Sequence, residues 1–320
     1  MKDKIIRYTK ILISNIILFF IFLFMCDFII YQYQTKDFTK EQKTQNPFLV
    51  NIFNPTISLS RYNFDLDNEY GESSWNGRKP DGLEYSNNTP ILVLGCSFAF
   101  GQHLYKDQTF SYKLAHLLKR PVYNRALAGA GVQHMYYQTT NEDFYNDVPK
   151  TDTVIHIIIN DHYRRMFGEM FKVTDPVLNL HYKKKNNTLV MDNYNNFLLN
   201  FFKFSNTFEI IRHKYQKFYI RNPKNAENLT DEMVLYFIKI RENLENRWNT
   251  KLNYTVVLYR KILHADILEK KLKQNGFNVI KTSDITTEDL NTMKYKMEDD
   301  HPKESAWTLL TPIIIKTINL

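Results

Sequence analysis

The sequence predicts an α/β protein: a three-layer α/β/α sandwich around a mainly parallel sheet, preceded by one N-terminal transmembrane helix. Short apolar runs that close in turns occur at Ile91–Gly101, Thr153–Ile159 and Tyr254–Tyr259, as expected of strands buried on both faces. Segments with helical apolar spacing fall between them, so strand and helix alternate along the chain. Ile11–Ile30 is apolar on every face, with a single charge near its far end, and its length of about twenty residues matches the hydrocarbon core of a bilayer.

Taken in order, residues 1–10 carry Lys2, Lys4, Arg7 and Lys10 against Asp3, whereas beyond the apolar run Lys36, Lys40 and Lys43 are offset by Asp37 and Glu41. This asymmetry predicts a cytoplasmic segment 1–10, a membrane helix 11–31 and a chain that continues on the outer side. A cleaved signal peptide is the alternative, but the run is long and Met25-Cys26-Asp27 offers no small-x-small cleavage site. Residues 32–88 are polar and aromatic, with turn signals at Asn54-Pro55 and Lys79-Pro80-Asp81-Gly82; they read as a tether and lead-in to a domain spanning 89–320.

Within that domain, the strand from Ile91 runs into a tight turn around Ser97. Thr109–Leu118 has the spacing of a helix that places Phe110, Leu114, Leu117 and Leu118 on one face. A short strand at Val122–Asn124, a helix over Val132–Tyr145 and the strand Thr153–Ile159 follow. Alternation pauses over 163–228, which reads as an insertion containing a hairpin (177–182 and 188–192 flanking 183–187) and serving either as a lid or as an extension of the core. It resumes with a helix from Thr230, a suitable N-cap, to Trp248, the strand Tyr254–Tyr259, a helix His264–Gln274, a strand Phe277–Lys281 and a helix Lys303–Ile318.

The formal net charge is +8 over 320 residues, spread widely, which favours contact with anionic head groups or glycans. Cys26 and Cys96 are the two cysteines, too few for a disulfide framework or a thiolate metal site. The histidines, His103, His134 and His156 among them, lack ligand spacing, so no metal is expected. With no phosphate-cradling glycine loop and no basic helix interleaved with aromatics, neither a cofactor nor a nucleic-acid partner is expected. Oligomeric state is not legible.

Ser97 stands at a strand end, and far downstream Asp299-Asp300-His301-Pro302 sets a histidine two residues after an acid. A serine hydroxyl needs a base to take its proton, and the base needs a carboxylate to hold its tautomer. Gly95-Cys96-Ser97-Phe98-Ala99 does not meet the G-x-S-x-G elbow. It resembles instead the first block of the SGNH/GDSL hydrolase superfamily, with cysteine where that family usually has aspartate. Three further blocks follow in the family's order: Asn124 with Gly129 five residues on, Asn160-Asp161 at a strand end with Ile158 where the family has glycine, and Asp299-Asp300-His301-Pro302.

The resemblance covers roughly 91–320 and implies a flavodoxin-like sheet and a cofactor-free serine esterase. Carried onto these positions, it makes Ser97 the nucleophile, His301 the base and Asp299 the orienting acid, with Glu298 in reserve. The oxyanion would be held by the amides of Ser97 and Gly129, Gly131 being the alternative, and by the side chain of Asn160. The implied activity is hydrolysis of acyl esters, on an envelope glycan, lipid or glycolipid, by a membrane-anchored, extracytoplasmic domain. An O-acyltransferase acting on envelope polysaccharide with the same triad, and a non-catalytic surface-binding module retaining the fold, stand beside that reading. His162, Arg164 and Arg165, which follow Asn160, read either as pocket-lining groups that meet an anionic substrate or, the plainer reading, as a solvated turn.

Overall fold

The computed structural model describes residues 80–166, 182–185, 188–191 and 206–318, with Arg78 and isolated positions between 13 and 29. Of the predicted membrane helix 11–31 only 13–15, 18–22, 25 and 29 are described, all helical, and most of the tether lies outside the described residues; among those described, no helix is long and apolar enough to cross a membrane. The chain divides into two compact units, one of 1–62, 172–174 and 193–218 and one of 63–171, 175–192 and 219–320. The second holds most of the predicted domain 89–320, of which 172–174 and 193–218 fall in the first.

Its elements begin with β1 (Ile91–Gly95), α1 (Ser97–Phe100), α2 (Phe110–Leu118), β2 (Val122–Asn124), α3 (Val132–Thr140), α4 (Glu142–Asp147), β3 (Thr153–Ile158) and α5 (Asp161–Arg165). They continue with the hairpin β4 (Tyr182–Lys185) and β5 (Thr188–Met191), α7 (Ala226–Trp248), β6 (Asn253–Leu258), α8 (Ala265–Gln274), β7 (Asn278–Lys281), α9 (Thr282–Ile285) and α10 (Glu304–Thr317), while the intervening helix α6 (Asn206–Arg221) belongs for most of its length to the first unit. Five strands form one parallel sheet in the order β2-β1-β3-β6-β7. Counted along the chain this is 2-1-3-4-5, the doubly wound order in which ligands bind outside the carboxyl ends of the strands, where the winding reverses between β1 and β3.

The pleat sends alternate side chains to opposite faces, and this builds two cores. Leu92, Leu94, Val154, Ile158, Tyr254 and Val256 pack with Met135, Met233, Tyr236, Phe237 and Leu268 from α3, α7 and α8. Ile91, Val93, Ile155, Ile157 and Val257 pack on the other face with Phe110 and Leu114 of α2 and with Trp307, Leu310 and Ile314 of α10. Helices on both faces of one sheet give the three predicted layers. Every residue of β1 and β3 is buried, which is why their sequences read as continuous apolar runs.

Several local expectations shift. Arg78, Asp81 and Gly82, in the stretch assigned to the lead-in, are buried, and Asp81 exchanges both backbone hydrogen bonds with Val122. In α2, Ser111 and Ala115 share the buried face with Phe110 and Leu114, and Leu117 is left 54% exposed at its edge. The predicted helix Val132–Tyr145 is two helices, because Asn141 turns extended and its side chain accepts from Asp143 N as the cap of α4. Thr230 is not an N-cap: α7 begins four residues earlier, and the buried Thr230 hydroxyl donates back to Ala226 O at 2.7 Å, the other bond a helical threonine can make. The predicted hairpin is seen over Tyr182–Lys185 and Thr188–Met191, with Lys185 paired to Thr188, and its predicted start at 177–181 and end at 192 lie outside the described residues.

Candidate active site

The turn that carries Ser97 is dictated by Gly95. Its φ of 146° disfavours any L side chain, and a Cβ there would lie 2.6 Å from Ile157 O and 2.8 Å from Ala99 Cβ. Only glycine lets β1 lie this close to β3 while the chain turns into α1. Cys96, in the place of the family's aspartate, is fully buried in the core beneath the turn. Ser97 opens α1 and is 4% exposed, and Gly101 N and Gln102 N close the turn onto its carbonyl. Asn124, at the end of β2, is a residue whose task the sequence did not disclose. Fully buried, it donates from Nδ2 to Ala99 O at 2.8 Å and to Ser111 Oγ at 3.3 Å, and its Oδ1 accepts from Ala126 N. The second block thus braces the first.

The histidine arrives on a short loop folded back on itself. Lys296 and Pro302 form an antiparallel bridge, Met297 N donates to His301 O at 2.7 Å, and Asp300 N donates to Met297 O with Asp300 at φ 71°. Within this loop His301 Nδ1 donates to Asp299 Oδ2 at 2.8 Å, and His301 N reaches Asp299 Oδ1 at 3.2 Å. Asp299 is therefore the acid on the imidazole, and the reserve Glu298 is exposed. The imidazole packs on the ring of Phe98, the residue after Ser97, with centroids 5.0 Å apart. Its Nε2 is buried and has no hydrogen-bond partner; no bond to Ser97 Oγ is formed, and such bonds are often long until substrate is bound.

Burial pushes the His301 imidazole below its ordinary value, with Asp299 pulling the other way. Burial alone would raise the Asp299 carboxyl, but the His301 amide and imidazole, with His103, hold it below the usual carboxylate range. A neutral base beside an ionised carboxylate is the state a triad starts from.

The oxyanion candidates are placed as follows. Gly129 stands third in the turn Leu127–Ala130, closed by Ala130 N donating to Leu127 O, and has the positive φ, 75°, that such a turn requires. The amide of Gly131 is engaged, donating to His134 Nδ1 at 3.0 Å. Asn160, exposed at the end of β3, clamps the loop after β6: Nδ2 donates to Lys261 O at 2.8 Å, and Oδ1 accepts from Leu263 N at 2.6 Å. A carboxamide nitrogen carries two protons, so one N–H of Asn160 remains for another acceptor.

The turn after Asn160 is not solvated, as its sequence suggested. His162 is fully buried with Nδ1 accepting from Ile159 N, and Arg165 is 7% exposed and donates to Ala130 O at 2.8 Å, holding the Gly129 turn. Arg260 sets its guanidinium over the rings of Phe98 and Tyr259. His103, which its sequence spacing sets aside, meets the carboxylate that holds His301: Nε2 lies 3.0 Å from Asp299 Oδ2. Only the folded chain brings these positions, some two hundred residues apart, together. An open cavity of about 430 Å³ lies at the opposite edge of the sheet, lined by Asn87–Pro90, Lys150–Asp152 and Thr250; none of these residues is a base paired with a nucleophile.

No protein-family model and no curated protein matches the sequence. Solved structures do resemble it. A member of the lipolytic protein G-D-S-L family from Veillonella parvula DSM 2008 aligns with 72% of this chain and 97% of its own at 11% identity and a TM-score of 0.38. A lipase from a goat rumen metagenome aligns over 72% and 97% at 12% identity and a TM-score of 0.42. A family two carbohydrate esterase from Clostridium thermocellum aligns over 72% of this chain and 64% of its own at 8% identity and a TM-score of 0.41. The activities in these names are those of the proteins that bear them. The four blocks that resemble those of the SGNH/GDSL hydrolases thus stand on a doubly wound parallel sheet of order 2-1-3-4-5.

Proposed function

We propose that the protein is a serine esterase that cleaves acyl esters through a Ser97–His301–Asp299 triad. The observation that carries the reading is the His301 imidazole: Nδ1 is held by Asp299 at 2.8 Å, the ring rests on the residue next to Ser97, and Nε2 is left without a partner. In the reaction, Ser97 Oγ attacks the ester carbonyl as its proton passes to His301 Nε2. Asp299 stabilises the imidazolium, which then protonates the departing alcohol. Water, deprotonated by the same nitrogen, releases the acyl group from Ser97. Charge on the carbonyl oxygen is met by the amides of Ser97 and Gly129 and the remaining N–H of Asn160; removing one such donor typically costs about a hundred- to a thousand-fold in turnover.

The substrate class we propose is an O-acyl group on an envelope glycan, lipid or glycolipid, with the domain held outside the cell by the segment 11–31. The length of that apolar segment and its basic flank support this placement. The test is labelling of the full chain with a fluorophosphonate. Labelling is expected in the wild type and lost in both Ser97→Ala and His301→Ala. A folded wild type that takes no label sinks the esterase and supports a binding module. An acyl donor supplied with and without a glycan acceptor separates hydrolysis from transfer.

A further inference from the structure

Neither the esterase chemistry nor the fold calls for His103, yet it is brought onto the triad. It sits just past the serine turn with φ 67°, a left-handed conformation that a non-glycine residue adopts at local cost. From there Nε2 reaches Asp299 Oδ2 at 3.0 Å, and His301 Nδ1 lies 2.8 Å from the same oxygen. The two imidazoles meet edge to face at 5.4 Å. One nitrogen from each ring and one carboxylate oxygen thus fall within 4.8 Å of one another. Ligands bound tetrahedrally to zinc at about 2.0–2.2 Å stand about 3.3–3.6 Å apart, so small side-chain adjustments bring these atoms to that spacing. The His103 and Asp299 side chains are 44% and 47% exposed, which gives an ion a path from solvent.

We propose that His103, Asp299 and His301 form a binding site for a divalent cation of the zinc class, and that occupying it switches the triad off. Two imidazole nitrogens and a carboxylate oxygen, with water completing the set, suit Zn²⁺; Mg²⁺ and Ca²⁺ take oxygen ligands instead. The inhibition rests on the triad reading, whereas the ion binding does not. In the ion-free site His301 Nδ1 carries the proton donated to Asp299, and Nε2 holds the lone pair that accepts from serine. To coordinate a cation, Nδ1 gives up that proton and the ring takes one at Nε2, with no net release. The Nε2–H can donate but not accept, so the base is lost. His103 undergoes the mirror exchange, from Nε2 to Nδ1, and the Asp299 charge goes to the ion. Ser97 itself stays uncovered.

The experiment uses the untagged full chain, stripped with chelator, with Zn²⁺ titrated by calorimetry and Mg²⁺ as control. Fluorophosphonate labelling of Ser97 is timed with and without Zn²⁺. His103→Asn keeps a residue that tolerates the left-handed backbone while removing the ligand. One equivalent of Zn²⁺, but not Mg²⁺, is expected to bind the wild type and slow labelling at least tenfold. In His103→Asn, Zn²⁺ binding is expected to weaken by more than about tenfold, and labelling to become insensitive to Zn²⁺. Zn²⁺ binding that is absent, or equally tight in His103→Asn, overturns the proposal. If the ion-free wild type never labels, the triad reading fails, and the calorimetric comparison still decides the ion site.

Discussion

Asn124 makes a clear test of how far the serine turn depends on residues beside it. Its two donated bonds and one accepted bond are all buried, so Asn124→Ala leaves Ala99 O and Ala126 N unmatched, at an expected cost of about 2–3 kcal/mol. Urea denaturation should show the lower midpoint, and fluorophosphonate labelling should slow because Ser97 loses its fixed place. Asp299→Asn is the contrasting case. Asp299 is half exposed on a surface loop, so its replacement should hardly move the midpoint, while esterase turnover drops by roughly 10³- to 10⁴-fold as the imidazole loses its tautomer support. A folded Asp299→Asn variant that keeps wild-type turnover would contradict that assignment. Ser97, Asp299 and His301 were legible because their residue types fall in short blocks whose order survives in the sequence. His103 and Arg165 were not, since their partners, Asp299 and Ala130, are brought beside them only by the folded chain. Asn160 was legible by position, but its clamp on Lys261 and Leu263 depends on where the loop after β6 comes to rest.

At the scale of elements, α10 decides where the histidine stands, because it begins three residues after His301 and cannot move without drawing Pro302 along. Its anchor is Trp307, fully buried against Phe110 of α2 at 5.2 Å and Tyr259 at 5.3 Å. Trp307→Ala removes a large core side chain and should cost about 3–5 kcal/mol. In the fraction that stays folded, slower labelling of Ser97 is expected, and Trp307→Phe should recover most of both losses. Equal labelling in folded Trp307→Ala would show that the loop holds His301 unaided. The strands and most helices could be read in advance for a plain reason: a strand buried on both faces is a run of apolar residues, and a helix on one face of a sheet is a stripe. The elements misplaced in the reading turn on polar residues with two uses. Asn141 could continue a helix or cap a new one, and Thr230 could cap or bond back; which bond forms depends on packing that sequence spacing does not encode.

Across the whole molecule, the face of the sheet opposite α10 buries histidines that can fold only when neutral. His156 is fully buried on β3, with Nδ1 against Tyr254 OH at 2.9 Å and its ring on Phe237, and burial pushes it down to about 3. His162 is displaced in the same direction, by burial first and then by the neighbouring Arg165 charge. An unfolded chain protonates both near the ordinary histidine value of about 6.5. Between that pH and the folded value the unfolded state binds more protons, so stability is full above about 6.5 and is lost as the pH falls toward 3. At about 1.4 kcal/mol per unit, His156 alone should remove about 3 kcal/mol by pH 4.5, a large part of the margin by which domains of this size stay folded. Denaturant midpoints measured at pH 7.5 and pH 4.5 should therefore differ strongly in the wild type. His156→Gln, which cannot take up the proton, should lower the midpoint at pH 7.5 and shrink the difference between the two. If the variant keeps the full wild-type difference, the acid sensitivity comes from elsewhere in the chain and His156 accepts its proton in the folded state.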